Sequence, residues 1–305
     1  MYIIHYPTYQ IMKLILLSLI LYITCVNALN PVCRGKLRSD LQFKYSYDSH
    51  IIDSSKDLDF NQRGNLARCV SSGTQIYTDS TMGSVNCDSI ATGEGPGLDR
   101  FGWASQTMVG KEGKVKFYTP FDSLASADQE FTSGTKCGTK VVLPTGAVWG
   151  AAVCEKAVHL YFYDDTQWLD RGEIAFPDAT GNDIDIDVNH EDYLIVRAGS
   201  KVFIYKLGMF PEKIHEENGD GLVAASVNCK GSVFAYESAG TIKLKQLDQS
   251  DGIWSDLTDI SVNPISMEMS SDVLAVGTTG KVQLYLFANG GTSYDEYKAI
   301  EDRKT

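Results

Sequence analysis

The sequence predicts an all-β fold, a β-propeller of four-stranded blades about 42 residues long, on three observations. An apolar strand, a Gly-containing turn and a second strand reading [Val/Ile/Thr]-x-[Ile/Phe/Leu]-[Tyr/Lys] recur through nearly the whole chain. The central apolar residue of that second strand falls at Ile76, Phe117, Leu160, Ile204, Leu244 and Leu284, in steps of 41, 43, 44, 40 and 40 residues. A repeat of roughly 40 to 45 residues, all strand and turn, is the signature of propeller blades. The third observation is that the segments alternate with a period of two, and none shows a period of 3.6.

The first residues read as a targeting segment. Lys13 precedes a twelve-residue apolar run at residues 14–25, and Val26-Asn27-Ala28 supplies the small residues of a cleavage site. The run is short of the roughly 20 apolar residues a bilayer needs. We expect cleavage between Ala28 and Leu29, with Met12 an alternative start, and a mature chain at residues 29–305 that forms one propeller domain. No later stretch is apolar enough for a second membrane span, and the expected localisation is secreted.

Residues 1–28 carry one Lys and no acids, so the mature balance is 26 basic to 39 acidic residues, a net charge of −13. That sign argues against nucleic acid as a partner and suits a cation or a basic partner. Six cysteines remain after Cys25, and an even count in a secreted chain points to disulfides with 15 possible connectivities. Cys69 to Cys87 and Cys137 to Cys154 span 18 and 17 positions, the distance to a strand one or two further along, which makes each pair a candidate staple. Cys33 could join Cys229 only if the first mature residues reached the fifth clear unit.

Residues 41–48 (LQFKYSYD) hold one further strand candidate ahead of six clear units. Together with the C-terminal strand at residues 294–300 they approach one more blade, so the expected count is seven, with six as the alternative. The first two hairpins are residues 65–78 and 103–119, and residues 93–97 (GEGPG) before the second read as a flexible connection. The third hairpin occupies residues 150–165. The last three units align over their full length: first strands DIDIDVN, GLVAASVN and ISMEMSS, polar turns HED, CKG and SD, then the hairpin and a polar fourth segment. Tyr77, Tyr118, Tyr161, Tyr205 and Tyr285 share one register, and repetition at one position means packing between blades.

Phe101-Gly102-Trp103-Ala104 and Trp149-Gly150-Ala151-Ala152 add an aromatic-Gly-x-Ala opening, followed after the hairpin at residues 150–165 by Trp168. This arrangement, over residues 99–176, resembles FG-GAP repeats, the blades of integrin α-chain-like propellers. The resemblance implies a secreted propeller used in adhesion or ligand binding. That family often carries an Asp-x-Asp-x-Asp-Gly calcium loop, and the nearest text here is Asn182-Asp183-Ile184-Asp185-Ile186-Asp187, without the Gly.

Read as one strand, Asp183, Asp185 and Asp187 share a face and are the candidate metal ligands, for Ca2+ if any cofactor. Successive members would stand roughly 6.5–7 Å apart, so a solvated acidic face is the blander reading. The turns between first and second strands carry the candidate ligand-face residues His190, Glu191, Asp192, Lys230 and Asp272. No Gly-x-Ser-x-Gly elbow or His-Glu-x-x-His motif occurs, and no Asn opens a glycosylation sequon. The sequence therefore points to a monomeric, non-enzymatic propeller binding an extracellular protein or glycan. The alternative is a propeller hydrolase acting on extracellular glycans.

Overall fold

The computed structural model describes residues 55–60, 66–70, 82–96, 103–118, 127, 129–132, 137–144, 148–228, 230–270, 273–287 and 294–301. The expected leader at residues 1–28, residues 41–48, Cys33, Cys229, Asp272, Ile76 and Tyr77 lie outside the described residues. The chain divides into two compact units, Ser55–Asp220 and one that includes Gly221–Thr305.

In the first unit a three-stranded sheet joins β1 (Ser55–Phe60), β2 (Leu66–Val70) and β3 (Met82–Asn86). Three four-stranded antiparallel sheets follow. They are β4 (Ser89–Pro96), β5 (Trp103–Lys111), β6 (Lys114–Tyr118) and β7 (Gln129–Thr132); β8 (Val141–Val142), β9 (Trp149–Val153), β10 (Ala157–Tyr163) and β11 (Trp168–Ala175); and β12 (Ile184–Val188), β13 (Tyr193–Ala198), β14 (Lys201–Lys206) and β15 (Glu212–Asn218). The second unit holds two more. One comprises β16 (Val223–Asn228), β17 (Gly231–Ser238), β18 (Thr241–Asp248) and β19 (Trp254–Asp256). The other comprises β20 (Ser266–Ser270), β21 (Val273–Thr278), β22 (Lys281–Phe287) and β23 (Tyr294–Glu301).

Each of the five sheets takes its strands in chain order, and Phe117, Leu160, Ile204, Leu244 and Leu284 all sit in the third. The sequence period thus counts sheets. Alternation then lets one strand serve two cores. On β10, Val158 and Leu160 pack towards Ile186, Leu194 and Val196 of the next sheet, while Tyr161 and Tyr163 pack towards Met108 and Phe117 of the previous one. The register tyrosines Tyr118, Tyr161, Tyr205 and Tyr285 are all buried. Burial pushes the phenols of Tyr118, Tyr205 and Tyr285 up, helped by Glu130, Glu216 and Glu296 respectively. In β18 the register position is Lys245, whose ammonium pairs with Asp256 of β19 at 2.8 Å.

Cys69 is bonded to Cys87 and Cys137 to Cys154, with Cα separations of 5.0 and 3.9 Å. The second bridge sits where Gly110, at the end of β5, meets Gly138. A Cβ on Gly110 would lie 2.2 Å from the Gly138 carbonyl oxygen, so only glycine allows that approach.

Three readings need correction. Residues 93–96 are not a loose connection: they are the end of β4, with Gly93 opposite Gln106 and Pro96 opposite Trp103. The ladder to β5 supplies what glycine propensity lacks, and Pro ends the strand, where a missing donor costs least. Leu66–Val70 pairs with β1 antiparallel and with β3 in parallel, where the sequence implied a simple hairpin. The Cys69–Cys87 bond ties the same two segments together and favours that partner. Finally, Asp183 ends a 3-10 turn, Gly181–Asp183, and is not part of β12. The Thr180 hydroxyl donates to its carboxylate at 2.6 Å and holds the residue in the turn.

Candidate binding surface

The best-defined cluster of candidate residues lies at one end of the β12–β15 sheet. β12 ends at Val188 and β13 starts at Tyr193, leaving four residues to reverse the chain. Asn189 is buried and organises the reversal: its side-chain oxygen accepts from the Glu191 and Tyr193 amides at 3.0 and 3.1 Å. Asp192 completes it with φ +61°, a left-handed conformation that Asp tolerates better than most residues. His190 is left exposed at the tip.

Antiparallel order brings the turn between β14 and β15 to the same end. The Leu207 amide donates to the Asp192 carbonyl at 2.7 Å. Lys206 folds back across the first turn, donating to the Glu191 carbonyl at 2.5 Å with its ammonium 4.1 Å from the centre of the Tyr193 ring. Loss of solvation holds His190 below the usual imidazole range, against the pull of Glu191 and Asp192. The same effect raises Asp192, opposed by Lys206 and His190.

Met209 and Phe210 project from this second turn with 81% and 82% of their surface exposed. Sequence reasoning missed them. Their signal was an adjacent apolar pair, between Gly208 and Pro211, outside the alternating pattern of either flanking strand.

The next sheet in sequence builds the equivalent turn with the same device. The Asn228 side-chain oxygen accepts from the Lys230 and Gly231 amides at 2.8 and 3.2 Å, and from the Gln246 side chain at 2.8 Å. Gly231 takes φ +150°, and a Cβ there would lie 2.1 Å from the Leu247 carbonyl oxygen. Gly231→Ala should therefore cost about 1–3 kcal/mol, read as a lowered denaturation midpoint. The Lys230 ammonium lies 5.7 Å from the centre of the Phe287 ring. Ile253, in the turn before β19, is 61% exposed. Asp272, which follows β20 in sequence, is outside the described residues.

The three aspartates do not converge. Asp183 is held by Thr180; Asp185 is buried and paired with the Lys140 ammonium; Asp187 accepts its neighbour Val188's amide at 2.8 Å. Among the described residues no three His, Cys, Asp or Glu side chains gather as a metal site. Two further pairs were not foreseen. His159 meets Asp170 across β10 and β11 at 2.6 Å, and Glu216 lies between Lys201 and Lys213, which hold its carboxyl at about 2.

No family model matches the chain, and no curated protein matches it. Solved structures do. The chain is similar to the β-propeller domain of Cps50 (Swd1) from Myceliophteria thermophila, with 14% identity, a TM-score of 0.57 and coverage of 82% of this chain and 87% of that one. It is similar to the RRP9 WD40 repeats at 11% identity and a TM-score of 0.53, over 81% of both chains. Hsv2 of Kluyveromyces lactis aligns at 11% identity and a TM-score of 0.45, over 69% of this chain and 62% of that one. The fold class is a β-propeller. Identity this low speaks to fold alone, since one fold hosts many functions.

Proposed function

We propose that this chain is a secreted, non-enzymatic propeller that binds an extracellular protein or glycan through the turns joining first and second strands. One observation carries the reading. Two successive sheets fix these turns with the same Asn-centred hydrogen bonds, at Asn189 and Asn228, yet project different chemistry: His190, Glu191 and Asp192 in one, Lys230 in the other. In each sheet a fixed turn base thus carries its own tip chemistry, which is what recognition by loops requires. The two disulfides fit an oxidising compartment, and among the described residues no helix is long and apolar enough to cross a membrane. The FG-GAP resemblance at Trp149-Gly150-Ala151-Ala152 supports an adhesion-type role.

The test is binding of the full chain to an array of extracellular glycans and proteins, repeated with Glu191→Ala/Asp192→Asn. Asn is chosen at position 192 because it keeps the left-handed turn. We expect at least one ligand whose affinity falls roughly tenfold, with the melting temperature nearly unchanged because the variant keeps the turn's backbone hydrogen bonds and a residue that tolerates its left-handed position. Turnover of an arrayed glycan by the wild-type chain would favour the hydrolase reading instead.

A further inference from the structure

We propose that the turn at residues 207–211 is a docking tip, and that its occupant is a basic amphipathic segment of a partner protein. The proposal rests on the binding reading above and names the partner's chemistry. Met209 and Phe210 are more than four-fifths exposed, yet they belong to a turn whose base is fixed. Leu207 is tied to Asp192, and Lys206 to Glu191 and Tyr193. An exposed Met and Phe side by side expose apolar surface that a solvated turn does not need, and such surface marks interaction sites. A reversal here needs far less chain, as the Gly199-Ser200 turn between β13 and β14 shows.

Charge selects the occupant. The facing turn, tied to Leu207 through the Asp192 carbonyl, carries Glu191 and Asp192, and Glu212 opens β15 opposite Lys206. Lys206 has its ammonium turned onto the Tyr193 ring, and His190 is held towards its neutral form. The tip is therefore apolar, and the segments that flank it carry three acidic residues while the nearby Lys213 is paired with Glu216, in a chain of net charge −12. A segment with an aliphatic face edged by Lys or Arg satisfies both features, whereas an anionic membrane satisfies only the first.

The test uses the full chain and a synthetic 18-residue Leu/Lys amphipathic peptide, with its Leu/Glu counterpart as the charge control. We expect the Leu/Lys peptide to bind and the Leu/Glu peptide not to. Met209→Ser/Phe210→Ser should raise the Kd about 10- to 30-fold, with folding unchanged by circular dichroism. Ile253→Ser, at another exposed apolar residue, should leave the Kd unaltered. Equal binding by the double variant overturns the proposal, as does binding of both peptides alike. Binding to phosphatidylcholine/phosphatidylserine vesicles that the double variant loses would assign the tip to a lipid surface. Self-association that the double variant loses would assign it to a second copy of this chain. Either result overturns the proposal. Array ligands sensitive to Glu191 and Asp192 but indifferent to Met209 and Phe210 would sink this inference and leave the binding reading standing.

Discussion

Trp168→Ala is expected to destabilise the protein by about 3–5 kcal/mol, the range for emptying a large aromatic site. Trp168 is 2% exposed at the start of β11, and its ring stacks on Phe117 of the preceding sheet at 4.3 Å and 18°. Tyr163 closes another side at 5.4 Å. The backbone there is held by Gln129 of β7, which donates to the Trp168 carbonyl at 2.9 Å and accepts its amide. With that anchor the strand cannot sag to fill the gap, so the cavity term persists. Trp168→Phe should cost less, because the indole N–H has no hydrogen-bond partner among the described residues to lose. Denaturant titration followed by circular dichroism gives both values. A loss below about 1 kcal/mol for the alanine variant would mean that these two sheets do not share a core.

Cys137→Ser/Cys154→Ser should cost about 3 kcal/mol, the loop-closure value for a bridge across 17 positions. Both sulfurs are buried, at 2% and 5% exposure, so two hydroxyls in their place add a solvation penalty. The same loss should appear in the wild-type chain on reduction with dithiothreitol, together with the contribution of Cys69–Cys87. That second bridge lies in a separate cluster with Ile90, Val109 and Tyr118, so the two contributions should be close to additive. A double variant as stable as the oxidised wild type would show that Cys137 and Cys154 are not joined.

How much of this was legible depended on whether the signal was local. The period that places Phe117, Leu160, Ile204, Leu244 and Leu284 in third strands is a local pattern repeated, and the sheets follow from it. The tyrosine register and both disulfide pairs were readable for the same reason. The departures arose where partners are remote. The parallel pairing of Leu66–Val70 with Met82–Asn86 depends on a segment that no hairpin rule selects. The ion pair of Lys140 with Asp185 spans 45 positions, and turned an apparent member of an acidic face into a buried, partnered group. Asp183 looked like strand because it continued the Ile alternation, but the Thr180 hydroxyl pulls it into a 3-10 turn. In the candidate site, the turn residues at 190–192 were read from position alone. Met209 and Phe210 were overlooked because apolar residues are ordinarily assigned to strands, and only their exposure in the fold sets them apart.

Partners are expected to engage the end of the β12–β15 sheet where the Leu207–Asp192 hydrogen bond brings two turns together. Amide hydrogen exchange of the full chain, with and without an arrayed ligand at saturation, tests it most directly. Slowed exchange at residues 189–193 and 207–211, with the opposite turn at residues 199–200 unchanged, is the predicted result. Protection confined to β11 or to residues 199–200, with residues 189–193 and 207–211 exchanging as before, would place the binding surface elsewhere.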